Sequence, residues 1–324
     1  MKLEQKTLQI CAAAIAFACA LRFFGSGMIQ DLTALFIEPS VSSFLLYAGT
    51  GRVYHAPQTD AVTEPGTLPP EAQPVQPSFS PEDAALVDIT NYPGSSIDVP
   101  AMLITPLSWN LTEDAPTVLI LHSHACESYE NTEGYTASGS YRTTEEAYNM
   151  VSVGVHLANC LREKGISVLH DTTLHDYPSY NDAYRLSRET VQRYLAQYPS
   201  IRLVLDIHRD AYEDANGNQL SSTVSIGDVT ASRLMLVAGT DNYGETHPDW
   251  RDNLSMAVKL QAILEKSYPG LCRSIALRSS AFNQDLSPGA LLIEVGTAGD
   301  TRQQALAAAT FLAEGIAQLA HGSQ

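Results

Sequence analysis

After Asp88 the chain alternates short apolar runs with longer amphipathic stretches, and this alternation constrains the available folds most tightly. VLIL (118–121), ISVL (166–169), IRLVLDIH (201–208), RLMLVAGT (233–240) and ALLIEVG (290–296) are bounded apolar runs, the pattern of buried strands. Between the first two, NMVSVGVHLANCLREKG puts Val151, Val155, Ala158 and Leu161 at helical spacing, with Gly165 in the C-cap position. YNDAYRLSRETVQRYLAQY predicts a second helix. Trp250 to Tyr268 predicts a third, with Leu254, Ala257, Leu260 and Leu264 on one face, and the Ala-rich 301–319 a last one. Strands that are apolar throughout have no face to give to water. The expected class is therefore α/β, a mostly parallel sheet flanked by helices on both faces.

The first 88 residues lack this pattern. Lys2 and Lys6 precede an apolar run from Ile10 to Leu21, ended by Arg22. That is shorter than the about 20 residues of a full span, but it suits a signal peptide or signal anchor. Residues 1–28 are read as a signal anchor or transmembrane segment with the following domain exported. Cleavage beside Ala18 or Ala20 is the other reading. Seven of the 17 prolines fall between Pro57 and Pro81, and apolar periodicity vanishes there. Residues 29–88 are accordingly read as a largely disordered extracytoplasmic linker, and 89–324 as one folded domain.

A net charge of −17 without clustered Lys and Arg argues against nucleic acid as a partner. Of the five cysteines, Cys126, Cys160 and Cys272 fall in the domain with no CxxC pair, so they read as free thiols rather than a disulfide or zinc framework.

Three of the expected strands run into residues that bind metals or carry protons. VLIL enters His122 and His124, IRLVLDI enters His208, and ALLI enters Glu294. Ligands of open α/β sheets bind beyond the carboxyl ends of strands, so these groups are expected at one edge. An acid inside ALLIEVG is expensive unless paired or ligating. Two histidines, a carboxylate and an open position make a catalytic zinc site. A further carboxylate beside it takes the proton of an attacking water, which defines a metal-assisted amide hydrolase. HExxH is absent, which excludes the helix-borne version of that site.

The stretches HSHACESY, YRTTEEAYNMVSVGVHLANCLREKGISVLHDTTLHDYPSYNDAY, YPSIRLVLDIHRDA, WRDNLSMAVKLQAILEKSYPGL and NQDLSPGALLIEVG, in this order over roughly 115–320, resemble the stage II sporulation protein P family. Through it the chain resembles the zinc N-acetylmuramoyl-L-alanine amidases. The resemblance implies a zinc ion (Zn2+) held by His124, Glu145 and His208, with Glu294 as the catalytic acid–base. Glu145 is chosen because it stands four residues before Asn149. His122 and Glu127 are alternates, since HSHACES replaces the usual Gly-rich turn and His124-x-x-Glu127 is a zinc-peptidase spacing. Arg209, by its position after His208, and Asn283 are taken as substrate-binding.

The implied reaction is hydrolysis of the amide between N-acetylmuramic acid and L-alanine in peptidoglycan, with peptide cross-links cut as well. The implied setting is the sporulation septum, outside the mother-cell membrane, with stage II sporulation proteins D and M as partners. Two alternatives stand beside this reading. One is a carboxypeptidase-like enzyme using His124, Glu127 and His208; the other is a non-catalytic wall-binding scaffold.

Overall fold

In the computed structural model the described residues are 77–321, apart from 112–114, 131–133 and 245. The expected anchor and the linker up to residue 76 lie outside them. Among the described residues no helix is long and apolar enough to cross a membrane.

Nine strands and five α-helices are described, in the order β1 (Ile89–Asn91), α1 (Val99–Ile104), β2 (Val118–Leu121), α2 (Met150–Glu163), β3 (Val168–His170), α3 (Ala183–Gln197), β4 (Leu203–Asp210), β5 (Thr223–Ile226), β6 (Val229–Ser232), β7 (Leu234–Ala238), α4 (Trp250–Ser267), β8 (Ile275–Leu277), β9 (Gly289–Thr297) and α5 (Arg302–His321). Seven strands make one sheet, ordered β1-β8-β7-β9-β4-β2-β3. All neighbours in it are parallel except β7 and β9. The mostly parallel α/β architecture is thus the one expected. β5 and β6 form a separate antiparallel hairpin.

The two faces of the sheet are covered unequally. Val118, Ile120, Leu203, Leu205, Ile207, Leu234, Leu236, Leu291, Ile293 and Val295 join α2, α4 and α5 in the main core. Each such side chain contributes about 1.5–3 kcal/mol on burial, so this face dominates stability. On the other face Leu119, Leu121, Val204 and Ala290 pack under Val191, Tyr194 and Leu195 of α3. On the rest of that face Met235, Val237, Ala276 and Leu292 form a small buried cluster, and among the described residues Phe282 is the partly buried apolar side chain packed against it. A trough is left there.

The domain begins earlier than expected. Phe79, Ala84, Leu86 and Val87 pack against the main core, and Asp83 pairs with Lys266. Within the segment expected as linker up to residue 88, the described residues from Phe79 on thus pack against the core.

Helix α2 begins at Asn149, whose side chain accepts from the Val151 amide, and ends with Gly165 at φ 79°. Gly154, on its buried face, lies over His122 and His170. A methyl group there would collide with the Nε2 atoms of both rings. Alanine favours a helix by about 1 kcal/mol over glycine, whereas overpacking against two held rings costs about 1–3 kcal/mol. Gly154→Ala is therefore expected to lower the melting temperature; a rise would show that the rings yield freely.

Candidate active site

Strand β2 delivers His122, Ser123 and His124 to the sheet edge, where the chain turns over the top of β4. The neighbouring β4 carries Asp206 and His208 on the α3 side. β9, next again, carries Glu294 in register with His208. A register shift between His208 and Asp210 sets Arg209 apart from its neighbours. The loop after His124 folds back so that Glu127 meets His208. Tyr129 anchors that loop by donating to the Val295 carbonyl at 2.8 Å.

His124, Glu127, His208 and Glu294 line one open cleft of about 550 Å³, with Tyr180, Tyr184 and Arg278 among its walls. The rings of His124 and His208 stand 5.3 Å apart, nearly perpendicular, and Tyr180 stacks on His124 at 4.3 Å. His208 Nε2 donates to Asp206 Oδ1 at 2.8 Å, leaving Nδ1 turned toward Glu127 Oε2 at 3.6 Å. Asp206 is itself held by the Ser123 amide at 2.7 Å and the Ser123 hydroxyl at 2.5 Å. Such a carboxylate behind a histidine fixes the ring and its tautomer, as the outer partners of metal-bound histidines do.

The electrostatics are those of a site with too much buried negative charge. Asp206, Glu127 and Glu294 surround the one imidazole of His208. Burial opposes charge on that ring, yet these carboxylates outweigh it and raise His208 to about 10. Burial likewise opposes charge on Asp206, but His208 and Ser123 bring it down to about 2. Burial, with Glu127 and Asp210, pushes Glu294 up to about 8 against the pull of His208. His124 is lowered, first by burial and then by the charge of His208.

A linkage follows for protein stripped of metal. His208 binds its proton more tightly folded than unfolded, so its contribution is complete below about 6.5 and is lost as pH rises toward 10. Denaturant melts of chelated protein are expected to show stability falling across that window. In His208→Gln that slope should flatten; an unchanged slope would place its origin elsewhere.

The donor types present are those a zinc site would use. His124 Nδ1 and Glu294 Oε2 are buried without a hydrogen-bond partner. Two imidazoles and a carboxylate suit that ion, and a cation would relieve the carboxylate surplus. Among the described residues no group of three such side chains stands ready to hold a metal ion.

Several expected site residues lie elsewhere. Glu145 is exposed in the turn before α2, whereas the alternate Glu127 is buried in the cleft. His122 is excluded by its bonds: Nδ1 donates to the Ile207 carbonyl at 2.8 Å, and Nε2 meets His170 Nε2 at 2.9 Å. Arg209 reaches the cleft, but its guanidinium donates to the Ser128 and Tyr141 carbonyls and pairs with Glu127. It positions Glu127 and has no fork left for substrate. Asn283 donates to the Tyr184 carbonyl and Ser187 hydroxyl, pinning its turn to α3. It does not line the cleft.

Tyr180 and Tyr184 escaped the sequence reading. Tyr180 lies in the short 3-10 turn before α3 and Tyr184 in its first turn, and both rings reach the cleft by packing on His124, which no local sequence pattern signals.

The sequence matches the family model described as Stage II sporulation protein P over residues 57–317. The chain belongs to the stage II sporulation protein P family. A curated relative, Stage II sporulation protein P of Bacillus subtilis strain 168, is 27% identical over 222 residues, covering 64% of this chain and 52% of that protein. The chain thus spans about half the length of that family member. Among solved structures, an N-acetylmuramoyl-L-alanine amidase from Clostridium difficile 630 aligns over 64% of this chain and 95% of its own, with TM-score 0.36 and 18% identity. An N-acetylmuramyl-L-alanine amidase from Mycobacterium smegmatis aligns over 66% of this chain and 100% of its own, with TM-score 0.36 and 11% identity.

Proposed function

We propose that this family member is a zinc-dependent peptidoglycan hydrolase that cleaves the amide between the lactyl group of N-acetylmuramic acid and L-alanine. The observation that carries the proposal is the meeting of His124, Glu127 and His208 in one open cleft beside Glu294, whose Oε2 is buried without a hydrogen-bond partner. Membership of the sporulation family supports peptidoglycan as the substrate.

In this reading His124, Glu127 and His208 hold the zinc. When bound there, zinc supplies Lewis acidity, lowering the pKa of a water to about 7 and polarising a carbonyl oxygen. Glu294 takes the proton of the attacking water and returns it to the departing amine of L-alanine. Without metal, burial already favours the protonated form of this carboxyl group. Asp206 holds His208 in one tautomer, and Arg209 holds Glu127. The stacked ring of Tyr180 limits the movement of His124.

The septal location, the N-terminal anchor and association with stage II sporulation proteins D and M are further parts of this proposal, resting on the family alone. The carboxypeptidase-like alternative would use the same three ligands, so the products decide between them. Digestion of purified muropeptides is expected to release whole stem peptides with a new L-alanine amino terminus, and chelation to stop that release. Products that keep the muramoyl–alanine amide intact would sink the amidase reading.

A further inference from the structure

The cleft continues past Glu294 over Leu292, Met235 and Val237, where Phe282 packs against the sheet. Arg278, Ser279 and Ser280 form its far wall. Arg278 follows Leu277 at the end of β8, beside Ala238 of β7, which runs antiparallel to β9. It therefore lies toward the start of β9, across the sheet from His208. A second hollow of about 520 Å³ adjoins, and Tyr92 and Met235 line both. The two make one trough over β9, β7, β8 and β1.

Most charges along this trough are already matched. Arg273 pairs with Asp210 at 2.7 Å, and Arg233 donates to the Gly270 and Cys272 carbonyls. Asp88 accepts from the Ser274 hydroxyl, and Glu265 from the Gly270 and Cys272 amides. Arg278 differs. Its backbone is fixed by the Ala238 carbonyl and the Thr240 hydroxyl, and its guanidinium lies 4.2 Å from the centre of the Tyr92 ring. Among the described residues no carboxylate or carbonyl accepts from that guanidinium.

An anion approaching a chain of net charge −17 needs a local cation to hold it. A guanidinium pre-set on an aromatic ring offers a carboxylate two parallel donors at little entropic cost. In the substrate proposed above, the lactyl carboxyl group is consumed in the scissile amide, so the free carboxylates of the amidated sugar's substituent lie on the peptide side.

Resting on the amidase reading, we propose that Arg278, held over Tyr92, is a subsite for a stem-peptide carboxylate and selects free-acid stems over amidated ones. The test is binding to the Glu294→Gln protein, which holds substrate without turnover. A muramoyl peptide with free carboxylates and its amidated twin are titrated by calorimetry. The free acid is expected to bind about tenfold more tightly, a difference of about 1.4 kcal/mol. Adding Arg278→Ala should shrink that preference below about twofold, and Arg278→Lys should keep part of it, since the charge stays but the fork is lost. Should the alanine variant not fold, the lysine variant carries the same reading through its partial loss.

Equal binding of the twins, or equal weakening of both by Arg278→Ala, overturns the subsite. Turnover by the unaltered protein is measured alongside. Turnover without a charge preference defeats the subsite alone. A preference without turnover defeats the amidase reading and leaves the carboxylate site standing.

Discussion

If the protein is the zinc amidase proposed here, Glu294→Gln is expected to lower amide hydrolysis by about a thousandfold while bound zinc stays in place. Glu294 sits on the central strand β9, opposite His208 on one side and Met235 on the other. Glutamine fills the same volume and cannot take a proton, so the change isolates the proton step. The fold should tolerate it well. Burial, with Glu127 and Asp210, pushes the carboxyl group up to about 8 against the pull of His208, so near neutral pH a neutral amide replaces a group already largely protonated. A melting temperature equal to or above that of the unaltered protein is expected, together with unchanged metal content. Release of new amino groups from muropeptides measures the rate, and metal analysis measures the zinc. Activity within about tenfold of normal would remove Glu294 from the proton-transfer role. Loss of zinc would make it a ligand instead.

The parts of this fold that the sequence discloses are those governed by local pattern. VLIL, ISVL, IRLVLDIH, RLMLVAGT and ALLIEVG all become strands of the sheet, because an apolar run bounded by turns has few other places to go. β1 and β8 have three residues each, too few to carry a period, and both were missed. The antiparallel placing of β7 against β9 depends on how a long connection returns, which no local pattern encodes. The site divides in the same way. His124, His208 and Glu294 follow from strand ends meeting at one sheet edge. The resemblance puts Glu145 ahead of Glu127, whereas the structure places Glu127 in the cleft and Glu145 in solvent, a difference that depends on the loop after His124 folding inward. That loop is held by Tyr129 on Val295 and by Arg209 on Glu127, contacts between residues far apart in the chain. Arg209 and Asn283 illustrate the converse. Each has the right chemistry for substrate, but tertiary hydrogen bonds had already taken it.

The two acids are separated by metal content. Glu127→Gln is expected to empty the zinc site, whereas Glu145→Gln is expected to leave about one zinc per chain. Glu127 is buried between His208 and Arg209, so in the proposed site its loss would remove a ligand and leave His208 and Arg209 without the acid between them. Glu145 is exposed to solvent and has no such company. Asp206→Asn should fall between them, weakening zinc by about 10- to 100-fold, because it touches the ligand His208 rather than the metal. Asparagine there keeps an oxygen that can accept from the ring yet loses the charge that raises its basicity. The three variants form a graded series, read by competition with a chelator of known affinity and by thermal melts with and without zinc. The melts matter because a ligand lost to misfolding would lower stability in both conditions, while a ligand lost from an intact fold would abolish only the stabilisation that zinc confers. The order Glu127, Asp206, Glu145 is what the cleft demands. A site emptied by Glu145→Gln and untouched by Glu127→Gln would mean that the loop after His124 folds outward in solution and that the turn before α2 supplies the third ligand.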